Sequence, residues 1–280
     1  SIRKMDDAES GDMIAPSQGI HIVLDRKFLG GETAIMIPST DDGRVLFAIP
    51  WQNKMLLGTT DTAGVNPEIC PRPMREEVDY LIEHAGRFLT EKPSHDDICS
   101  MFAGLRPLVV PDRNSNRNSS KISRSHSLTV SESGLVTMAG GKWTTYRQMA
   151  EDAVDCAAEI GRLDPKPCST GDLTLLNEGS LTEGGRLHPD LPCTEEDVRC
   201  AVESEMALSL DDVLCRRTRC LLLDVRATRE IAPVVCRQMA ERLGKDEEWI
   251  ATELQTFEDI SEAYSDPTSQ RESLVEPEGS

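Results

Sequence analysis

The stretch that most restricts the fold of this chain is Leu135-Val-Thr-Met-Ala-Gly-Gly-Lys-Trp-Thr-Thr-Tyr-Arg147. A short apolar run passes through two glycines and a lysine into a segment of helical pattern. Strand, tight turn and helix therefore follow one another directly. Gly140 and Gly141 carry no side chain, which lets backbone and a ligand approach closely. Thr144 or Thr145 can then cap the helix, whose first-turn N–H groups favour an anionic or electron-accepting group. The plain alternative is a glycine turn between a strand and a helix with no ligand at all. The rest of the chain decides between them.

Residues 1–18 are polar and without periodicity, and the chain starts Ser1-Ile2-Arg3-Lys4 rather than with methionine. Ile20, Ile22 and Leu24 alternate with His21, Val23 and Asp25, the period of a strand. Thr33 to Pro38, Arg44 to Pro50 and Lys54 to Thr60 continue a β-meander around Ser39-Thr-Asp-Asp-Gly43. A helix opening at Pro73 presents Val78, Leu81, Ile82, Ala85 and Leu89 along one stripe, which suits it to cover the sheet. In the strand expected over Lys121 to Val130, Ile122, Arg124, His126, Leu128 and Val130 share a face, and a cation there needs an anionic partner. The helix after the glycines runs to a stop at Gly161. Pro165 to Pro192 reads as a linker. Beyond it Thr194-Glu-Glu-Asp197 is a capping-box start, and further helices are expected around Asp211 to Arg217, Arg226 to Leu243 and Asp246 to Tyr264. The fold class expected is α+β, with a mixed, mainly antiparallel sheet and a C-terminal helical domain.

Charge narrows the partners. Thirty basic residues against 49 acidic ones leave a formal charge of −19, which repels phosphodiester backbones, so no nucleic-acid partner is expected. The nine cysteines form no C-x-x-C pair and no ligand-like spacing with histidine, and they read as reduced structural thiols with no metal site. No apolar run approaches the roughly 20 residues of a spanning helix. Against this acidic background four basic side chains stand out: His21 inside a strand, Arg106 between Leu105 and Pro107, Arg124 on an apolar face, and Lys142 after two glycines. Each has a structural use of its own; Arg106, for example, can cap carbonyls before Pro107. Together they suit a small dianion: arginine forks match phosphate oxygens, lysine adds a point charge, and a neutral histidine can accept a hydroxyl proton.

Six segments, in this order, resemble the FAD-dependent, quinone-linked glycerol-3-phosphate dehydrogenases. They are Gly19-Ile-His-Ile-Val23, Asp42-Gly-Arg-Val-Leu-Phe-Ala-Ile-Pro-Trp51, Leu57-Gly-Thr-Thr-Asp61, Phe102-Ala-Gly-Leu-Arg-Pro-Leu108, Gly140-Gly-Lys-Trp-Thr-Thr-Tyr-Arg147 and Arg216-Arg-Thr-Arg219. The resemblance runs from about Ser1 to about Tyr264, and Ser1-Ile-Arg-Lys-Met-Asp-Asp7 is similar to the segment joining that family's flavin and substrate domains. It implies oxidation of sn-glycerol 3-phosphate to dihydroxyacetone phosphate by hydride transfer to FAD, with electrons passed to membrane quinone. In residues, it implies a catalytic set of His21, Arg106 and Lys142 and phosphate binding by Arg106 and Arg124. It also implies flavin contacts from Gly140, Gly141, Lys142, Thr144 and Thr145. Ser125 stands where the family more often has an acidic residue.

The organisation implied is a connecting segment over 1–18, a β-rich substrate-binding domain over 19–134, and a strand-glycine-helix piece of the FAD domain over 135–162. A linker over 163–192, a helical domain over 193–266 and a disordered tail over 267–280 follow. The setting implied is cytoplasmic, peripheral on the inner face of the cytoplasmic membrane, with a homodimer left open. The family's N-terminal dinucleotide-binding unit, with its G-x-G-x-x-G turn, has no counterpart here, and the stretch from Thr174 to Leu191 is shorter than in relatives. The 280-residue chain alone is therefore expected to hold FAD weakly or not at all. Two other readings stay open: an FAD-dependent amino- or hydroxy-acid oxidase, which needs fewer cations, and a non-catalytic fragment acting as an interaction module. For Arg216, Arg217 and Arg219 the expectation is a charged helix end paired with the acidic surface.

Overall fold

The computed structural model describes residues 2–38, 40, 43–110, 125–174 and 185–268. They form an α+β fold that divides into two compact units, one of Ser1–Gly19, Asp61–Ile69 and Gly104–Asn177, the other of Ile20–Thr60, Cys70–Ala103 and Glu178–Ser280. Two long strands, β1 (Ile14–Asp25) and β6 (Ile98–Val109), contribute residues to both.

The larger unit is built on the meander. From His21 onward β1 pairs antiparallel with β4 (Lys54–Gly58), His21 opposite Gly58 and Asp25 opposite Lys54. β4 pairs with β3 (Leu46–Trp51), and β3 with β2 (Ile35–Ile37). The β3–β4 hairpin closes through Gln52 and Asn53, both at positive φ, the two-residue geometry that matches strand twist. Alternation sends Ile20, Ile22, Leu24, Leu46, Ala48, Met55 and Leu57 to one face, where Val78, Leu81, Ile82 and Ala85 of α2 (Arg75–Ala85) seal them from water. At the start of α2, Glu77 accepts from the Met74 N–H (3.1 Å) and from the Thr60 hydroxyl (2.9 Å), which satisfies a buried carboxylate.

The same unit holds a second, helical core. It is made by α4 (Glu195–Glu203), α5 (Cys220–Leu223), α6 (Val225–Leu243) and α7 (Glu247–Glu262), with Leu210, Val213, Leu214, Leu221, Val235, Met239 and Phe257 at its centre. The Thr194 capping box forms as expected: Thr194 accepts from the Asp197 N–H (3.2 Å) while Asp197 accepts from the Thr194 N–H (2.8 Å). α6 is capped by Asp224 and α7 by Asp246, and Gly244 ends α6 in the left-handed region. The helix expected around Asp211 to Arg217 forms over Asp212–Arg217 and winds as a π-helix.

The smaller unit contains α1 (Ile2–Asp6), the first half of β1 paired with β5 (Thr62–Ala63), the second half of β6, the antiparallel hairpin of β7 (His126–Val130) and β8 (Val136–Gly140), and α3 (Tyr146–Ile160). Residues 1–18, read as aperiodic, thus hold a short helix and the start of a strand. Ser17 and Gln18 extend β1 because β5 offers backbone partners there, which side-chain patterning does not reveal. The two clusters of buried apolar side chains among the described residues both lie in the larger unit, and α3 has no buried residue. His126 Nε2 meets Asp152 Oδ2 at 2.8 Å, tying β7 to α3.

Candidate functional site

Arg106 sits in the smaller unit on the second half of β6. Its guanidinium lies flat on Gly19 of β1: a Cβ there would come within 2.3 Å of Nη2 and 2.6 Å of Nη1. Nη1 donates to the Gln18 carbonyl (3.2 Å) and stands 3.7 Å from Asp61 Oδ1, whose carboxylate also accepts from the Ser17 hydroxyl. Glycine at position 19 is thus a requirement for room, and Asp61 supplies the negative charge that a largely covered guanidinium needs. Asp61 was visible only as the last residue of the Leu57–Asp61 motif and carried no role there.

The Gly140–Thr145 turn is in the same unit. Gly140 and Gly141 have φ of 74° and 78°, a region where a side chain is strained. A Cβ on Gly140 would meet Val109 Cγ2 at 2.8 Å, and one on Gly141 would meet the Met149 sulfur at 2.4 Å. The glycines are therefore demanded by the backbone and by the protein's own packing, before any ligand is considered. After them Lys142, Trp143, Thr144 and Thr145 are exposed. Thr145 does not cap α3 with its side chain. Its hydroxyl donates to the Lys142 carbonyl (2.9 Å) and closes a 3-10 turn over Trp143–Thr145. The Lys142 and Thr144 side chains both face solvent.

His21 belongs to the larger unit. It points from β1 to the face opposite the buried Ile20 and Ile22, lies across Gly58, and stacks on Phe102 with ring centroids 5.5 Å apart. Arg124 lies outside the described residues. Arg216 and Arg217 behave as a charged helix end: Arg216 pairs with Asp211 and Asp212, and Arg217 with Asp212 (3.0 Å) and the Glu205 carbonyl (2.7 Å). Among the described residues no group of three or more His, Cys, Asp or Glu side chains could hold a metal ion, and all nine cysteines are free.

The sheet with a covering helix, the glycine turn leading into α3 and the helical C-terminal core are shared with a solved FAD-bound dehydrogenase. A crystal structure of the glycerol-3-phosphate dehydrogenase from Bacillus halodurans complexed with FAD superposes with a TM-score of 0.76 at 27% identity, over 96% of this chain and 61% of that one. Within that class the relatives are specific. Residues 169–250 match the family described as the C-terminal domain of alpha-glycerophosphate oxidase. The mitochondrial glycerol-3-phosphate dehydrogenase of Mesocricetus auratus is 31% identical over 89% of this chain and 40% of its own length. That of Arabidopsis thaliana is 40% identical over 63% of this chain and 28% of its own. The chain is related in sequence and in fold to the FAD-dependent glycerol-3-phosphate dehydrogenases, and spans about two fifths of the length of the hamster relative.

Proposed function

We propose that the protein serves the oxidation of sn-glycerol 3-phosphate to dihydroxyacetone phosphate, with FAD as hydride acceptor and a membrane quinone receiving the electrons, in glycerol and glycerophospholipid metabolism. The observation that carries this reading is the built character of Arg106. Its guanidinium rests on bare glycine backbone, is held by the Gln18 carbonyl and the Asp61 carboxylate, and its side chain is only 25% exposed. A cation held so firmly in an acidic chain is a handle for an anion, and a phosphate suits its fork.

The Gly140–Thr145 turn suits the reactive ring of FAD: an exposed ammonium, an exposed hydroxyl and a helix start all favour negative charge. When bound, FAD supplies the acceptor for the C2 hydride. In this reading Lys142 and the first N–H groups of the turn offset the charge that develops on the acceptor. His21 takes the C2 hydroxyl proton. Arg106, with Arg124, binds the phosphate, so that binding energy remote from C2 fixes the reacting geometry. In this reading the protein attaches peripherally, at the inner face of the cytoplasmic membrane, to reach quinone; no described helix is long and apolar enough to cross a membrane.

The test is turnover of glycerol 3-phosphate by the FAD-loaded protein with a quinone analogue as electron acceptor. Arg106→Ala should raise KM by about tenfold or more, the worth of a charged hydrogen bond, and lower kcat/KM with it. His21→Asn should lower kcat by roughly 10²–10⁴ with little change in KM. Unchanged kinetics in both variants, or faster turnover of glycine or lactate, would overturn the proposal.

A further inference from the structure

A general base works only if its ring is held in place, and a histidine on a strand has two side-chain torsions to lose. His21 stands in a row of side-chain positions running across three neighbouring strands of the larger unit: Phe102 on β6, His21 on β1 and Gly58 on β4. Gly58 is directly opposite His21 in the antiparallel register. A Cβ on Gly58 would fall 2.2 Å from Cδ2, 2.7 Å from Nε2 and 2.9 Å from Cγ of His21, so the imidazole rests on the glycine backbone itself. Unlike Gly140 and Gly141, Gly58 is not at positive φ, so the left-handed region is not what calls for glycine there. What the position excludes is the volume that His21 fills. On the other side Phe102 lies nearly parallel to the imidazole, at an interplanar angle of 20°, an offset stack that restricts ring rotation.

We propose that Gly58 and Phe102 are positioning residues for His21: the glycine is the floor on which the imidazole lies and the phenyl ring is the wall that keeps it from turning away. The proposal rests on the reading of His21 as proton acceptor. Neither residue touches the reacting atoms; both act through the histidine. The phenyl face also favours the imidazolium that forms as the proton is taken.

The experiment uses the FAD-loaded protein with glycerol 3-phosphate, in the variants Gly58→Ala, Phe102→Leu, Phe102→Tyr and His21→Asn, and in Gly58→Ala and Phe102→Leu each combined with His21→Asn. The histidine ring is followed by NMR with labelled imidazole. Gly58→Ala should lower kcat by about 10²-fold, the usual cost of displacing a base by an ångström, with KM within about twofold. Phe102→Leu should lower kcat less and shift the His21 ring resonances as the ring current is lost, and Phe102→Tyr should restore both. In the His21→Asn background neither change should lower kcat further. Equal loss of kcat with and without His21, or His21 ring resonances unmoved by both Gly58→Ala and Phe102→Leu, would refute the positioning role. If His21→Asn leaves kcat unchanged while the ring resonances shift as stated, the positioning stands and the reading of His21 as base fails. Phe102→Leu keeps the question decidable should Gly58→Ala not fold.

Discussion

Lys54 offers the sharpest quantitative test of how the larger unit is held together. Its side chain is 9% exposed, and its ammonium lies 3.0 Å from Asp224 Oδ2 and 3.6 Å from the Cys99 sulfur. Burial alone would lower the Lys54 pKa, but Cys99 and Asp224 beside it outweigh burial and hold it above the ordinary value. Burial pushes the Cys99 thiol up to about 11 despite the pull of Lys54, so sulfur accepts from the ammonium as a neutral thiol. Asp224 does a second job, since Oδ1 accepts from the Ala227 N–H (3.1 Å) and caps α6. Removing one partner of such a pair strands the other charge, at a cost of about 3–5 kcal/mol. Lys54→Met should therefore destabilise by about 3 kcal/mol and Asp224→Ser, which keeps a capping oxygen, by about the same. Asp224→Ala should cost about 1 kcal/mol more, for the lost cap. The double variant Lys54→Met with Asp224→Ser should cost only about 2 kcal/mol, because removing both charges leaves neither stranded, which gives a coupling of about 4 kcal/mol. Urea unfolding followed by tryptophan fluorescence reads this unit selectively: Trp51 and Trp249 pack on the helical core, whereas Trp143 of the other unit is 86% exposed. A coupling below about 0.5 kcal/mol would mean that the pair holds nothing, whatever its geometry.

Two further outcomes follow from contacts elsewhere. His95 bridges Asp266 (Nδ1, 2.5 Å) and Asp79 of α2 (Nε2, 2.8 Å); burial opposes its charge, but the hydrogen bonds to Asp266 and then Asp79 prevail and raise its pKa. The stability it contributes is fully present below the unfolded value of about 6.5 and is lost as pH rises through the higher folded value. The protection factor of the Met101 amide, which donates to the Tyr264 carbonyl (2.9 Å), should fall across that window, and a flat profile in the wild type, or an unchanged fall in His95→Gln, would refute the clasp. Gly141→Ala should destabilise the β8–α3 turn by about 1 kcal/mol or more, from positive φ and the clash with Met149, and Met149→Ala should recover part of the loss. Hydrogen exchange along α3 measures both, and protection equal to wild type in Gly141→Ala would show that the turn tolerates a side chain.

Local patterns carried much of the fold. The alternation around Ile20–Leu24 foretold the strand, with His21 out of step with Ile20 and Ile22, and the Thr194–Asp197 spacing foretold a real capping box. Strand β6 was harder to see, because Gly104 and Pro107 interrupt its pattern, and its length is set by partners rather than by propensity. At the candidate site the sequence singles out basic residues standing in unusual settings. It does not show what each rests on. Gly19 beneath Arg106, Gly58 beneath His21 and Asp61 beside Arg106 are brought in by strand pairing, and no local pattern announces a pairing. Gly140 and Gly141 were legible as glycines but not in their cause, which is a left-handed backbone pressed against Val109 and Met149.

The β3–β4 hairpin has a mechanical consequence. Within a few residues of its tip, Trp51 is set into the helical core and Lys54 is locked to the cap of α6, while the strands behind them belong to the core under α2. The hairpin therefore works as a rivet through two cores that sequence distance would keep apart. Heat or denaturant that loosens one must draw the rivet from the other, so the sheet and the helices of this unit should melt together, in a single transition.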